Sequence, residues 1–405
     1  MFKVMSIADI HLNGGMETDE AQALMKAADI AIAEEVSVVL VNGDVYHSKS
    51  TPVQRMVFRS FIRELREGGS TVLILRGNHD EKDDLQLFDD RDAEIYVSEA
   101  PEEITVFYPG GVLYVHTIPH YNAAALALSS GSINDLGETG TGLYDQLVHK
   151  IFNSVRSYPG PSMVAFHGTV TDAHLDNGMI PKHDGIVLNG PLLSSIGCPV
   201  RGGHYHAAQE PHPNVRYSGS ITLRNYGESG DKGVLIDTYE NGAWLEPRFV
   251  SLEPSARITI DAEWVPGLGF LVNDDEAKDH TLFQNALLKC EFTGARVRFR
   301  YKVKQSEVAS VDTDYIKQWF ADAGVRELKI ERDLIIETAV RSESIHQAHT
   351  VLDMHEAWLG MKNLEAHVPI QRALYDQIVN GIEPPTERPA LTVIEGEHPL
   401  ETAIA

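Results

Sequence analysis

The stretch VNGDVYHSKSTP, from Val41 to Pro52, leads from an apolar strand through a Gly-Asp turn towards a predicted helix. Asp44 follows the turn glycine, and His47 comes three residues after Asp44. A carboxylate at the end of a strand is a common ligand of divalent metals. His47 leaves three interpretations open at this point, namely a second metal ligand, a catalytic group or a surface side chain.

Strands and helices alternate around this stretch. Strands are predicted at residues 2–7, 36–41 and 71–75, and a first helix at residues 18–35. A second helix is predicted after Thr51, a suitable N-cap, because Pro52 fits a first helical turn and Gly68-Gly69 ends the pattern. The alternation predicts an α/β sheet with parallel crossovers.

The chain beyond residue 100 has the pattern of short strands and hairpins. Hairpins are predicted at 104–117 and at 233–250, the second across the turn pair Asn241-Gly242. Short strands at 162–166 and 198–201 run into histidines. We therefore expect an α/β (α+β) fold of two stacked mixed β-sheets flanked by helices. Residues 122–142 are rich in Ala, Ser and Gly and are expected to form a loop or insertion.

A chain of 405 residues is longer than one core usually supports, and we expect a domain boundary near Pro254. The predicted regions are a site-bearing domain at 1–255, a small α/β domain at 256–340, a helical region at 341–382 and a disordered tail at 383–405. In the small domain, strands are predicted at 257–260, 295–304 and 327–330, and helices at 281–289 and 313–323.

The composition excludes several classes of protein. A net charge of -25 argues against a surface that grips nucleic acid everywhere, so any contact with a polyanion has to be local, metal-assisted or shared with a partner. Cys198 and Cys290 form neither a disulfide framework nor a zinc knuckle. The sequence has no run of apolar residues of membrane-spanning length and no signal-peptide pattern at its start, so we expect a cytoplasmic protein.

Five polar segments each follow an apolar strand, where ligands of α/β sheets gather. The segments are Asp9-Ile10-His11, Gly43-Asp44, Gly77-Asn78-His79-Asp80, His167-Gly168 and Gly203-His204-Tyr205-His206. An Asp-x-His or a lone Gly-Asp is compatible with chance, and two nearby histidines are compatible with a plain surface, whereas Gly-Asn-His-Asp favours a functional site by itself. The whole set in this order is specific, and we expect glycines 43, 77 and 203 to let the backbone turn sharply into the site.

These segments supply a mixture of carboxylate, amide and imidazole groups that suits two hard or borderline divalent ions. The candidate metal ligands are Asp9, His11, Asp44, Asn78, His167, His204 and His206. A carboxylate and an amide are able to bridge such ions, which activate a water and neutralise phosphate oxygens. His79 lies beside Asn78 and is a candidate donor of the proton that a leaving oxygen needs.

Together the five segments resemble the signature of the calcineurin-like metallophosphoesterases over roughly the first 220 residues. That resemblance implies the two-sheet fold and two divalent metal ions, most often Mn²⁺. Serine/threonine phosphatases of this superfamily have a second Asp and an Arg after the Gly-Asp, whereas this chain has Val45-Tyr46-His47-Ser48.

Gly-Asp followed by two apolar or aromatic residues and a His is similar to the recombination nucleases of the SbcD family. By that resemblance, His47 is not a metal ligand but assists the reaction beside the metals. Tyr217-Ser218-Gly219-Ser220, followed by Tyr226-Gly227-Glu228 and Lys232-Gly233-Val234, resembles the family's segment after the last histidines, with Ser218 in the place of a proline. Arg76 before Gly77 is instead typical of protein phosphatases and keeps that alternative open.

The SbcD resemblance implies a manganese-dependent DNA nuclease, an exonuclease on double-stranded ends and an endonuclease on single-stranded or hairpin DNA. It further implies an SbcC-like ATPase partner of the SMC family, a homodimer within a heterotetramer, and a context of DNA repair, recombination or phage DNA metabolism. The small domain would be a capping domain that contacts DNA. A helix predicted at 344–359, with residues to about 382, would bind the ATPase, although packing onto its own domain is equally compatible with the pattern.

Five basic residues alternate with apolar ones from Arg296 to Lys304, in the sequence RVRFRYKVK. In a strand, all five cations project from one face. That face is interpreted either as a phosphate-backbone contact or as a solvated outer surface.

Two other functions remain open on the sequence. One is a phosphoesterase for a phosphoprotein or a small phosphodiester, and the other is an adaptor protein with degenerate metal sites. The spacing of Asp44 and His47 and the small second domain argue against the first, and the complete ligand set argues against the second.

Overall fold

The computed structural model describes residues 1–108, 111–120, 136–175, 179, 186–274, 279–282, 291–335, 347–362, 364 and 367–379. These residues form two compact units. The first unit comprises residues 1–301 and 311–332, and the second comprises residues 302–310 with the described residues from Asp333 onward. The domain boundaries at 255, 340 and 382 stay a prediction, and the predicted tail at 383–405 lies outside the described residues.

The elements are numbered in chain order. The strands up to residue 251 are β1 (Phe2–Ile7), β2 (Val38–Val41), β3 (Thr71–Leu75), β4 (Ile95–Ser98), β5 (Glu103–Tyr108), β6 (Gly111–Ile118), β7 (Ser162–His167), β8 (Thr169–Val170), β9 (Val187–Leu188), β10 (Val200–Gly203), β11 (Gln209–His212), β12 (Val215–Tyr217), β13 (Gly233–Glu240), β14 (Ala243–Trp244) and β15 (Arg248–Ser251). The later strands are β16 (Arg257–Val265), β17 (Gly269–Asp274), β18 (Asp279–Leu282), β19 (Arg296–Lys304) and β20 (Glu327–Ile335). The helices are α1 (Asp19–Ala33), α2 (Pro52–Glu67), α3 (Leu136–Ser157), α4 (Gly190–Ser194), α5 (Thr313–Asp322), α6 (Val351–Met361) and α7 (Val368–Val379).

Capping residues set the ends of the first two helices. The Thr18 side chain accepts a hydrogen bond from the Ala21 amide, and acidic residues occupy the first turn of α1, where the helix dipole favours them. Thr51 and Gln54 form a reciprocal capping box at the start of α2, and Gly68 caps its end. The two helices predicted in this part of the sequence are therefore confirmed.

Two mixed sheets form the framework. The first has the strand order β14-β13-β1-β2-β3-β4, with β15 also paired to β13. Its strands β1, β2, β3 and β4 run parallel, the first three connected through α1 and α2, and β13 runs antiparallel to β1. The second sheet has the order β11-β12-β10-β7-β6-β5, in which β12, β10, β7 and β6 run parallel.

The two sheets pack face to face with helices on the outside. Buried side chains of β1, β2 and β3, including Val4 and Leu40, form one apolar cluster with side chains of β5, β6 and β7, including Val115 and Met163. The opposite face of the first sheet packs on α1 and α2, and that of the second sheet packs on α3 and α4. This arrangement confirms the prediction of two stacked mixed sheets flanked by helices.

Three segments differ from the sequence-based expectation. Residues 136–142, predicted as part of a loop, belong to α3, while residues 122–135 lie outside the described residues. Residues 281–282, predicted as helical, end β18 because they pair with β17, and residues 283–289 are not described. The helix predicted from residue 344 begins at Val351, because Thr350 caps it through the amide of Asp353.

A third sheet, in the order β18-β17-β16-β19-β20, follows the two-sheet core in the chain. In β19, the apolar residues Val297, Phe299, Tyr301 and Val303 are buried, and the five basic residues occupy the alternate positions. The predicted period-two pattern is therefore confirmed. No helix among the described residues is both long and apolar enough to cross a membrane.

Candidate metal centre

Neighbouring parallel strands deliver the five polar segments to one place. β1, β2 and β3 are adjacent in the first sheet, and β7 and β10 are adjacent in the second. Because adjacent parallel strands end at the same edge of a sheet, the residues that follow them are brought together. Each of the seven candidate ligands lies in or just after one of these strand ends.

The backbone of the site takes conformations that side chains usually avoid. Asp9, His11 and Asp44 have φ values of 51°, 50° and 54°, and His204 has a φ of 113°. Such positive values cost on the order of 1–3 kcal/mol each and persist only where the surroundings hold them. The His11 amide donates to the Asp44 carbonyl at 2.9 Å and the Asp9 amide donates to the Gly43 carbonyl at 3.1 Å, so the two loops hold each other.

Three glycines allow the chain segments to approach closely. A Cβ on Gly43 would lie 2.2 Å from Nδ1 of His167, and a Cβ on Gly77 would lie 2.1 Å from Oδ1 of Asp44. A Cβ on Gly203 would lie 2.2 Å from the Asn42 carbonyl oxygen. Of the three, Gly43 alone also has a positive φ, of 88°, so close approach rather than a sharp turn explains Gly77 and Gly203.

One group of ligand atoms surrounds His11. Its Nε2 lies 3.2 Å from Nε2 of His206 and 3.7 Å from Oδ2 of Asp44. Ligand atoms of Asp9, His11 and His206 all lie within 4.8 Å of one another. These residues form a compact set of two imidazoles and a carboxylate, with a second carboxylate beside it.

A second group surrounds the Asn78 side chain. Its Oδ1 lies 2.9 Å from Nε2 of His167 and 2.8 Å from Nδ1 of His204. Asp44 lies beside both groups, because its Oδ1 is 3.5 Å from His167 Nε2 while its Oδ2 faces His11. The structure thus brings all seven predicted residues together, and their ligation of metal stays a prediction.

The hydrogen-bonding pattern leaves lone pairs facing lone pairs. His167 Nδ1 donates to the Asn42 carbonyl at 2.7 Å, so in the neutral ring Nε2 carries a lone pair aimed at oxygens of Asn78 and Asp44. His206 Nδ1 bonds to Glu228 Oε1 at 3.2 Å, which leaves its Nε2 facing the Nε2 of His11. Clusters of acceptors of this kind are satisfied by cations.

The pKa values of the candidate ligands also favour a bound cation. Burial and the charge of Asp44 raise the pKa of Asp9 to about 8, and burial also raises the pKa of Asp44. Burial lowers the pKa of His167 to about 4 and that of His204 to about 3. Buried carboxylates without countercharge and neutral imidazoles are the state that a divalent cation stabilises, so the residues fit a two-metal centre.

Two acidic residues that the sequence analysis did not assign brace the ligands. Buried Asp80 accepts hydrogen bonds from the amides of Gly77, at 2.9 Å, and Tyr46, at 3.1 Å, and so ties the loop after β3 to the loop after β2. Glu228 bonds His206 and lies 3.2 Å from Nζ of Lys232, whose side chain is 1% exposed. Asp80 stood within a recognised segment, and Glu228 and Lys232 stood within runs that resemble SbcD-type nucleases, but the sequence did not indicate which groups they contact.

Lys232 also supports the backbone of His206. Its Nζ donates to the His206 carbonyl at 2.8 Å. Glu228 Oε2 also accepts from the Arg224 amide at 2.9 Å. The backbone and the ring of His206 are therefore held by one buried ion pair, in the manner of the outer-shell partners that orient metal ligands.

His47 and His79 lie at the exposed edge of the ligand cluster. Their rings stack with centroids 5.7 Å apart, and Nδ1 of His79 donates to the His47 carbonyl at 3.0 Å. The His79 amide donates to Asp44 Oδ1 at 2.8 Å, and its Nε2 lies 4.0 Å from Asp44 Oδ2. This geometry brings both rings beside the site, and their predicted roles in the reaction stay predictions.

His120 is a further histidine near the cluster, which the sequence indicated only through its place after a strand. Its ring centroid lies 6.1 Å from that of His167 and 6.4 Å from that of His204. Burial lowers its pKa to about 4. His120 therefore lines the site as a neutral group.

Residues 2–206 match the family model described as calcineurin-like phosphoesterase. The uncharacterized metallophosphoesterase YhaO of Bacillus subtilis is 26% identical over 222 residues, which are 53% of this chain and 48% of that protein. The SbcD component of the nuclease SbcCD of Escherichia coli is 24% identical over 268 residues, 59% of this chain and 66% of that protein. The matches thus span about half to two thirds of the length of these relatives.

Two solved structures overlap with 62% of this chain. One is GAP50, the anchor in the inner membrane complex of Plasmodium, at 11% identity over 85% of that chain with a TM-score of 0.40. The other is a dimetal phosphatase of Danio rerio, at 12% identity over 99% of that chain with a TM-score of 0.38. With TM-scores and identities this low, neither structure supports a conclusion about function.

Proposed function

The chain belongs to the calcineurin-like phosphoesterase family, and on that premise we propose that it is a two-metal phosphodiester hydrolase that cleaves DNA. The observation that carries the proposal is the meeting of seven ligand-type side chains at one edge of two sheets, with His47 and His79 beside them. The proposed metal ligands are Asp9, His11, Asp44, Asn78, His167, His204 and His206.

Two divalent cations, proposed to be Mn²⁺, supply the Lewis acidity that activates a water and neutralises phosphate oxygens. Among the protein residues, Asp44 lies beside both ligand groups and holds the His79 amide through its Oδ1. His79 donates from Nδ1 to the His47 carbonyl, so it is in the doubly protonated ring that Nε2 carries the proton needed by the leaving oxygen. The ring of His47, which stacks on that of His79, assists at the phosphate.

The choice of DNA as the substrate has two supports. The run Gly43-Asp44-Val45-Tyr46-His47 is similar to that of SbcD-type nucleases, and the SbcD component of the E. coli nuclease SbcCD matches 59% of the chain. We propose exonuclease activity on double-stranded ends and endonuclease activity on single-stranded or hairpin DNA. With a net charge of -25, the protein would have to contact the DNA locally, through the metals and a partner.

An SbcC-like ATPase of the SMC family is the proposed partner, with the chain as a homodimer within a heterotetramer acting in DNA repair or recombination. The support from the second unit is a groove of about 540 Å³ between α6 and α7. Val351, Trp358 and Ile378 line it and are 73%, 44% and 78% exposed. An apolar groove of this kind suits a helical partner.

A small phosphodiester or a phosphoprotein is the second candidate substrate. Two observations support this candidate. The arginines of β19 that were candidates for a phosphate contact bind groups of the protein itself, since Arg300 forms two hydrogen bonds of 2.7 Å to Asp261. YhaO, a metallophosphoesterase by name, also matches over 53% of the chain. An adaptor with degenerate sites is disfavoured because all seven ligand-type residues are present.

The test compares substrates on one preparation of the full chain loaded with Mn²⁺. Labelled linear DNA, hairpin DNA and bis(4-nitrophenyl) phosphate are incubated with the wild type and with Asp44→Asn, with and without a co-purified ATPase. We expect cleavage of DNA by the wild type and its loss in the variant. Cleavage of the small ester but of no DNA would favour the second candidate, and near-zero metal content would favour the adaptor.

A further inference from the structure

Arg224 contacts the imidazole ring of His47. Its Nη2 lies 3.2 Å from Nδ1 of His47. Because a guanidinium has donors and no acceptor, the His47 nitrogen must accept this hydrogen bond. The neutral ring of His47 then carries its proton on Nε2.

Arg224 is itself fixed from two other directions. Its Nη1 donates to Glu20 Oε1 at 3.0 Å and to the His11 carbonyl at 3.3 Å. The side chains of Arg224 and Glu20 are only 13% and 5% exposed. Glu20 belongs to the first turn of α1. The guanidinium therefore connects the start of α1, the loop that carries His11 and the ring of His47.

The ring that Arg224 holds faces the ligand cluster. Ring nitrogens of His11, His47 and His79 lie within 4.8 Å of one another. The exposed His47 ring stacks on His79 but has no second side-chain hydrogen bond among the described residues, so Arg224 is the group that selects its tautomer and the angle of the ring.

We propose that Arg224 is a positioning residue that sets the tautomer and orientation of His47 and thereby presents its Nε2–H to the phosphate. This inference rests on the proposed function, in which His47 assists at the phosphate. The guanidinium does not touch the substrate, and its whole effect on the reaction passes through the imidazole. Nothing in the sequence links residue 224 to residue 47, because they are 177 positions apart.

A double-mutant cycle on the full chain with Mn²⁺ tests this route, with bis(4-nitrophenyl) phosphate as the probe. Outer-shell partners typically contribute about 10- to 100-fold to activity, so Arg224→Met should lower kcat by that factor. In a His47→Ala background, the same substitution should lower kcat by less than about twofold, because the residue through which Arg224 acts is already gone. Equal losses in both backgrounds would overturn the proposal.

Two further variants and a metal measurement guard against a merely structural explanation. Arg224→Lys keeps a positively charged donor group and should restore part of the loss, and it replaces Arg224→Met in the cycle if that variant does not fold. Arg216→Met is the matched control, because Arg216 is an 18% exposed arginine paired with two carboxylates, and we expect unchanged kcat. Mn²⁺ content should stay equal to the wild type in Arg224→Met. Loss of metal would mean that Arg224 supports the His11 loop instead, against the proposal.

A spectroscopic measurement separates this proposal from the proposed function. In full-length protein with ¹⁵N-labelled histidine, the His47 signal is identified by its absence in His47→Ala. We expect an Nε2–H tautomer in the wild type and a mixture of tautomers in Arg224→Met. An Nδ1–H tautomer in the wild type would overturn the inference even in an active enzyme. The expected tautomer in a protein that hydrolyses nothing would instead overturn the proposed function alone.

Discussion

The candidate metal centre and strand β19 are both rich in polar or charged side chains, yet they are built in opposite ways. At the candidate metal centre, hydrogen-bond acceptors face one another at 2.8–3.2 Å, and loops that carry several of them are held in positive φ by hydrogen bonds between loops. On β19, basic side chains alternate regularly along an ordinary strand, and the first three bind groups of the protein itself.

The difference shows that a pattern of charged residues in a sequence does not by itself identify a binding surface. Arg296 binds Asp19, Arg298 binds Thr259 and lies 4.8 Å from the ring of Tyr226, and Arg300 binds Asp261. A basic stripe that looks available in the sequence is therefore largely paired within the fold. The candidate metal centre instead brings together groups that repel one another unless a cation lies between them, which is a stronger indication of a binding site.

The largest effect is expected from His79→Ala. The variant should keep its Mn²⁺ and lose about 10²- to 10⁴-fold in hydrolysis, because a proton donor is removed while the ligand groups stay. Metal content by elemental analysis and kcat on DNA or a small ester measure the two quantities. If metal and activity disappear together, His79 is a ligand or a structural residue.

Gly77→Ala should damage the centre through geometry alone. The added Cβ would lie 2.1 Å from Asp44 Oδ1, so Asp44 or the loop after β3 has to move. We expect hydrolysis to fall at least about 100-fold, since misplacement by about 1 Å is enough for such a loss. Gly360→Ala in α6 is the control, because its Cβ meets nothing within 4 Å, and its activity should be unchanged. Normal activity in Gly77→Ala would refute the close-packed description of the site.

Glu228→Gln should weaken metal binding without removing a ligand. Burial alone raises the pKa of Glu228, but hydrogen bonds from His206 and the Arg224 amide with the charge of Lys232 lower it overall, to about 2. The isosteric amide removes that charge, and we expect Mn²⁺ affinity to fall about 10- to 100-fold in a competition titration. Glu246→Gln, an exposed carboxylate beside Arg216, should bind Mn²⁺ like the wild type.

The smallest effect is expected on β19. Replacing Arg298 and Arg300 together by Glu should weaken DNA binding by a few fold and make it less dependent on salt, by about one unit of slope for each lost phosphate contact. Pairing of Arg300 with Asp261 keeps the expected loss small. Affinities that match the wild type at two salt concentrations would leave β19 as a solvated outer face.

Local rules made much of the fold predictable. The strand β1, the capping box of α2 and the Asn241-Gly242 turn follow from residues a few positions apart. The predicted start of α6 was wrong for a related reason. The apolar pattern continued through residues that precede the N-cap, Thr350, so the helix was predicted to begin too early. The five polar segments were also visible, since each is adjacent to the strand that positions it.

The sequence by itself determined which residue types stand at the strand ends, and hence a metal-binding chemistry and a two-sheet architecture. Only the tertiary structure decided that Glu228 and Lys232 hold His206, that Arg224 holds His47, and that Asp261 pairs with Arg300. The physical reason is the range of the interactions. Backbone periodicity and capping act over a few residues, whereas hydrogen bonds between side chains depend on which distant segments the folded sheets bring within 3 Å.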